Sequence, residues 1–124
     1  MDKKEQVTYL ANIYHLLIAD GGVDRVEENV FEQIRRDISA GYFEKQEAMA
    51  LAKKDGFQVQ LEGRWSDRIR NLEDMLFSAY CNGVFEKTEK TVVQQYAAQL
   101  GIDQRQFGVI QEEAKQRYNH YKSA

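Results

Sequence analysis

Between Lys3 and Ala19, the residues Val7, Leu10, Ile13, Tyr14, Leu17 and Ile18 recur at spacings of three and four. That is one apolar stripe of an amphipathic helix. The stripe stops at Asp20-Gly21-Gly22, where glycine accepts the positive φ that ends a helix. Asp24 stands three residues before Glu27, the spacing of a capping box. It opens a second helix to about Ser39, with Val26, Val30, Ile34 and Ile38 on the buried face and Gly41 closing it. A shorter third helix is predicted from about Glu44 to Lys54, led by Ala48, Leu51 and Ala52. Phe57-Gln58-Val59-Gln60-Leu61 alternates with period two. A lone strand would leave its backbone groups unmatched, so the segment reads as an extended connection that tucks in Phe57, Val59 and Leu61. Ser66 is the expected N-cap of a fourth helix carrying Ile69, Leu72, Met75, Leu76, Ala79 and Tyr80, which ends at Asn82-Gly83. A fifth helix spans about Lys87 to Leu100 and stops at Gly101. Asp103, with Gln106 three residues later, caps a sixth bearing Phe107, Ile110, Ala114 and Tyr118.

The prediction is all-α, a compact bundle of about six helices. The two acidic turns repeat at an offset of 62 residues. Asp20-Gly21-Gly22-Val23-Asp24-Arg25-Val26-Glu27 lies over Asn82-Gly83-Val84-Phe85-Glu86-Lys87-Thr88-Glu89. The same offset matches Leu10 with Leu72, Ile13 with Met75, Val30 with Val92, Ile34 with Tyr96 and Ile38 with Leu100. The bundle is therefore expected to be built from two related helical hairpins, about 5–40 and 67–101, followed by a C-terminal helix at about 104–121. All belong to one domain across 1–124, since neither hairpin can bury its apolar face alone.

Composition narrows the function. At 124 residues the chain has the length of one domain with one core. A net charge of -3 lacks the basic footprint of a nucleic-acid binder. One cysteine makes no internal disulfide and no cysteine-rich zinc site. The strongest apolar run, Leu16-Leu17-Ile18-Ala19, is too short to span a bilayer, and Met1 to Gln6 lacks a signal-peptide core. The expectation is a cytoplasmic protein with no integral membrane segment, which leaves peripheral membrane association open.

The stretch Ile18-Ala19-Asp20-Gly21-Gly22-Val23-Asp24-Arg25-Val26-Glu27-Glu28, with its apolar helix before it, resembles the TerB family. These are small helical proteins of tellurium-resistance operons, found also as a module of some J-domain co-chaperones. The degenerate copy at Asn82 to Glu89 and the ending Ala97-Ala98-Gln99-Leu100-Gly101-Ile102 support the resemblance, which covers roughly residues 5 to 118. Asn82 stands where an acid is expected, and Phe57 to Trp65 has no match. The resemblance implies a non-enzymatic stress-response module that acts on a protein partner, with acids at one end binding divalent metal.

The residues themselves point to the same chemistry. Asp20, Asp24, Glu27 and Glu28 crowd one turn, with Glu86 and Glu89 at the equivalent places in the other. Packed carboxylates repel unless a cation compensates. Oxygen-only donors suit a hard divalent ion, calcium, magnesium or manganese rather than zinc. The predicted ligands are Asp20, Asp24, Glu27, Glu86 and Glu89. The plainer reading is that Asp24 and Glu27 only cap a helix. Of two further alternatives, one is a redox or enzymatic role for Cys81. The other is a metal-free adaptor docking through Trp65, flanked by Arg64, Arg68 and Arg70, or through Tyr118 and Tyr121. The plainer reading of the Trp65 stretch, and the one favoured, is that Trp65 anchors the long connection to the core while its arginines stay in water. His15 and His120 form no ligand-spaced pair.

Overall fold

The computed structural model describes residues 1–19, 21–81 and 87–123. In them the chain forms helices α1 (Lys3–Ile18), α2 (Arg25–Asp37), α3 (Tyr42–Ala52), α4 (Trp65–Cys81), α5 (Lys87–Leu100) and α6 (Gln104–Ser123). This is the all-α bundle that the apolar spacing predicts. Leu10, Ile13, Leu16 and Leu17 of α1 and Leu72, Met75, Leu76 and Ala79 of α4 form the centre of the core. Val30, Phe31 and Ile34 of α2 and Val92, Val93 and Tyr96 of α5 close it from the sides. Helix α3 buries only Ala48 and Ala52, small side chains that let it lie close along α1. Helix α6 buries only Ala114 and lies along α4 in the same way.

Helix starts repeat at the offset read from the turns: Lys3 and Trp65, Arg25 and Lys87, and Tyr42 and Gln104 are each 62 residues apart. The register thus extends to a third helix in each half, with α6 standing where α3 stands. Contacts between α1 and α4 are reciprocal in this register. Tyr9 donates its hydroxyl to Asp74, while Asn12 donates to the Asn71 side chain at 2.8 Å. At the offset, Asn71 corresponds to Tyr9 and Asp74 to Asn12. The Asn71 amide also donates to the Tyr9 carbonyl at 3.2 Å, so Tyr9 meets its own counterpart. Reciprocal contacts of this kind are what a two-fold relation between halves requires. The two helices lie with their N-termini together, because Glu5 and Asp67 both close on Gly63. A Cβ on Gly63 would sit 2.9 and 3.0 Å from their carboxylate oxygens, and its φ is +84°.

Several boundaries differ from the sequence reading. Helix α2 ends through Ser39, which adopts φ 60°, and the Ala40 amide donates back to the Arg35 carbonyl at 3.0 Å. Ser39 therefore takes the left-handed position that Gly101 takes after α5 at the 62-residue offset. Gly41, released from that duty, is the N-cap of α3, which starts at Tyr42 rather than Glu44. At α4 the Asp67 carboxylate accepts the Arg64 amide at 3.2 Å, so Ser66 lies inside the first turn and is not the cap. Val26 is 45% exposed rather than buried, since Glu27, Val30 and Ile34 take the inward positions of α2. Trp65 is 57% exposed and does not anchor the connection; Val59 does, buried in the core with Phe57 and Leu61 packed against it. The Asn82-Gly83 turn lies outside the described residues.

Two outcomes follow for stability. Asp74 is buried and accepts from both Tyr9 and Arg117, the latter at 2.7 Å. Asp74→Ala leaves the buried Tyr9 hydroxyl without its acceptor and releases the half-exposed Arg117, and is expected to cost about 2 kcal/mol in urea denaturation. Ser39→Gly relieves a left-handed Cβ and is expected to stabilise by about 0.5 kcal/mol in the same assay, net of the extra freedom glycine gives the unfolded chain.

Candidate functional site

Because α1 and α4 run side by side in the same direction, both end at one end of the bundle, where α2 and α5 begin. Two helix N-termini there present amide donors and partial positive charge, the natural setting for carboxylates. Asp24 caps α2 from extended backbone: its Oδ1 accepts the Glu27 amide at 2.8 Å, and Glu27 Oε1 accepts the Asp24 amide at 3.2 Å. The predicted capping box is therefore formed. The Asp103–Gln106 pair forms the same reciprocal bonds at α6, at 2.7 and 2.9 Å.

The two acids of the box have different surroundings. Asp24 is exposed, as is Glu28, whereas Glu27 is 3% exposed and points inward from the first turn of α2. Glu89, its counterpart at the 62-residue offset, is 0% exposed in the first turn of α5. Both glutamates make further interactions within the fold. Glu27 is an electrostatic neighbour of Cys81, the last residue of α4. Three of the predicted ligands, Asp24, Glu27 and Glu89, thus stand where two helices start from a common end. Asp20 and Glu86 lie outside the described residues. Among the described residues no three His, Cys, Asp or Glu side chains gather into a metal-holding group, so these three acids do not make a centre by themselves.

Cys81 is buried, and burial pushes its thiol up to about 12, with the Glu27 carboxylate adding to the rise and Arg117 opposing it. At neutral pH such a thiol holds its proton and is a poor nucleophile. His15 is also lowered by burial; its ring lies 5.1 Å from Phe57.

Sequence reasoning missed the polar stripe along α4, Asp67, Asn71, Asp74 and Ser78, all buried. The signal was available, since polar residues recurring at spacings of four, three and four mark a helix face as surely as apolar ones. Asn71 and Asp74 of that stripe meet Tyr9 and Asn12 of α1, and through Asp74 the stripe also holds Arg117 of α6. It missed too the carboxylate of Glu32, held down to about 2 by hydrogen bonds from Arg35 and Lys45. The Lys45 bond ties α2 to α3.

Alkylation of Cys81 in native protein is expected to be slow at pH 7 and to climb continuously as pH rises past 10, becoming fast at pH 8 only in denaturant. Stopped-flow thiol titration in both states checks this. Among the described residues no helix is long and apolar enough to cross a membrane. No protein-family model matches the chain, and no curated protein or solved structure matches it significantly.

Proposed function

We propose that this chain is a non-enzymatic, TerB-like interaction module whose acidic end binds one divalent cation. The observation that carries the reading is that Glu27 and Glu89 are both buried at places equivalent under the 62-residue offset. Two glutamates at equivalent places are both withdrawn from water in the first turns of helices that start from one end of the bundle. Both keep interactions within the fold, and a hard cation with oxygen preference is the ligand that an all-carboxylate donor set suits. In this reading Asp20, Asp24 and Glu27 supply ligands from the first turn, and Glu86 and Glu89 complete the set from the second. The ion is calcium, magnesium or manganese. It bridges the two turns and orders a surface for a protein partner. A role in a cytoplasmic stress response, including tellurite resistance, follows from the resemblance of the first turn to TerB proteins.

The chemistry of Cys81 speaks against the redox alternative, because its thiol is buried and protonated. A metal-free adaptor is the second reading, favoured by the exposure of Trp65 at the opposite end of α4 from the acidic turns.

Calorimetric titration of metal-stripped protein with calcium, magnesium, manganese and zinc tests the proposal. Binding tighter than about 1 mM is expected, weakened at least about tenfold by Glu89→Gln. It should be lost in the double variant Asp24→Asn with Glu86→Gln, with helicity retained by circular dichroism. Absence of any heat up to that concentration, or unchanged affinity in the double variant, defeats it in favour of the adaptor.

A further inference from the structure

The outer side of α3 is apolar where a solvated helix is polar. Phe43 is 82% exposed and Tyr42 65%, the two most exposed large apolar side chains among the described residues. Their rings meet edge to face, 6.0 Å apart. Ala50 of the same helix is exposed, and Leu51 is half-buried. Apolar side chains gathered on the outer side of a helix mark a surface that something else covers.

The second half shows that the fold does not ask for them. At the 62-residue offset Tyr42, Phe43, Ala50 and Leu51 become Gln104, Arg105, Glu112 and Glu113 of α6, all exposed. Helix α6 lies along α4 as α3 lies along α1, so these positions accept polar side chains without loss of the bundle. Lys4 and Glu47 are likewise peculiar to the first half, where the second has Ser66 and Val109. Both charges are exposed, and neither forms an ion pair among the described residues.

These features adjoin. A groove of about 420 Å³ opens beside Phe43, bordered by Lys3 and Lys4 of α1 and by Glu47 and Leu51 of α3. The patch therefore carries a projecting ring, a recess next to it, a positive edge and a negative edge. A surface can meet its own copy across a two-fold axis when each of its features finds its complement on that same surface. Ring and recess are one such pair, lysine and glutamate the other. A purely acidic or purely basic partner satisfies one edge and meets like charge at the other.

We propose that the α1–α3 face is the interface of a symmetric homodimer. Phe43 of each copy enters the groove of the other and lies on Leu51 and the aliphatic stems of Lys3 and Lys4. Lys4 of one protomer faces Glu47 of its partner. Lys3 stands 4.0 Å from Glu44, which places the interface where α1 and α3 start, away from the turns that open α2 and α5. Dimerisation is therefore independent of metal at those turns.

Sedimentation equilibrium of the full chain tests this, with a dissociation constant below about 100 µM expected. Phe43→Arg, which matches the second half at this position, should weaken the dimer at least about tenfold. Helicity by circular dichroism should be unchanged, because position 43 is exposed. Lys4→Glu and Glu47→Lys should each weaken it at least about fivefold. Mixed one to one, these two charge variants should associate within about twofold of the parent affinity, since each restores the contacts that the other lacks. A chain that stays monomeric at about 1 mM overturns the proposal. So does undiminished dimerisation of Phe43→Arg, or a mixture of the charge variants no tighter than either alone.

Discussion

The structure depends on a buried polar contact between its two central helices. Tyr9, Asn12, Asn71 and Asp74 lie where an apolar bundle would place leucines, and each is satisfied by a partner across the α1–α4 interface or beyond it. Hydrogen bonds of this kind add only about 1 kcal/mol each to net stability, but leaving one group unmatched costs more. The consequence is a single register. Sliding α4 along α1 by one turn would cost little in leucine contacts, which are non-directional, yet it would strand an amide and a carboxylate in the core. Burial and the Asp74 carboxylate push the Tyr9 phenol far above its ordinary range, which keeps it the donor of this pair at neutral pH.

That register decides where the ends of the helices fall. With α1 and α4 parallel and in step, the turns that follow them must leave from the same end, and the helices that return must start there. The capping box at Asp24 and Glu27 is then more than a local stop signal. Its glutamate is drawn inward at the end of α4, near Cys81, and its counterpart Glu89 is drawn inward from α5. A local rule of helix capping and the packing of the halves together withdraw a glutamate from water in the first turn of each of α2 and α5.

Much of this was legible in the chain. Apolar spacing located every helix because Leu, Ile and Val at three- and four-residue intervals have few other uses. The Asp24–Glu27 and Asp103–Gln106 boxes were legible because both partners of each bond are close in sequence. The errors came where a position's role depends on what lies across the fold. Val26 looked buried by its neighbours' periodicity, but the inward place in that turn belongs to a glutamate. The end of α2 near Ser39 was legible, but the left-handed stop was assigned to Gly41 because serine seldom accepts such a backbone. Ser39 takes it, as Gly101 does after α5. Trp65 was read as an anchor of the connection, but at the start of α4 it is exposed to solvent. Of the acidic site, residue identity and the 62-residue offset could be read in advance. The burial of Glu27 and Glu89 could not, because it comes from the packing of α2 and α5 against the other half.

The departure from symmetry is as informative as the symmetry. Asn12 and Asp74 occupy equivalent places, but an amide both donates and accepts while a carboxylate only accepts. Asn12 can therefore read a backbone, taking an N–H and giving to a C=O, and in the first half it holds an extended segment against α1. Asp74 offers nothing to a carbonyl. It draws donors instead, and Arg117 of α6 supplies one from a helix that continues where the first half turns extended. One change of side-chain chemistry at a matched core position thus accompanies two different paths of the chain. In the half with the carboxylate, α6 runs on through the positions that the extended segment takes in the other, and Arg117 and Tyr121 from it cover Phe77.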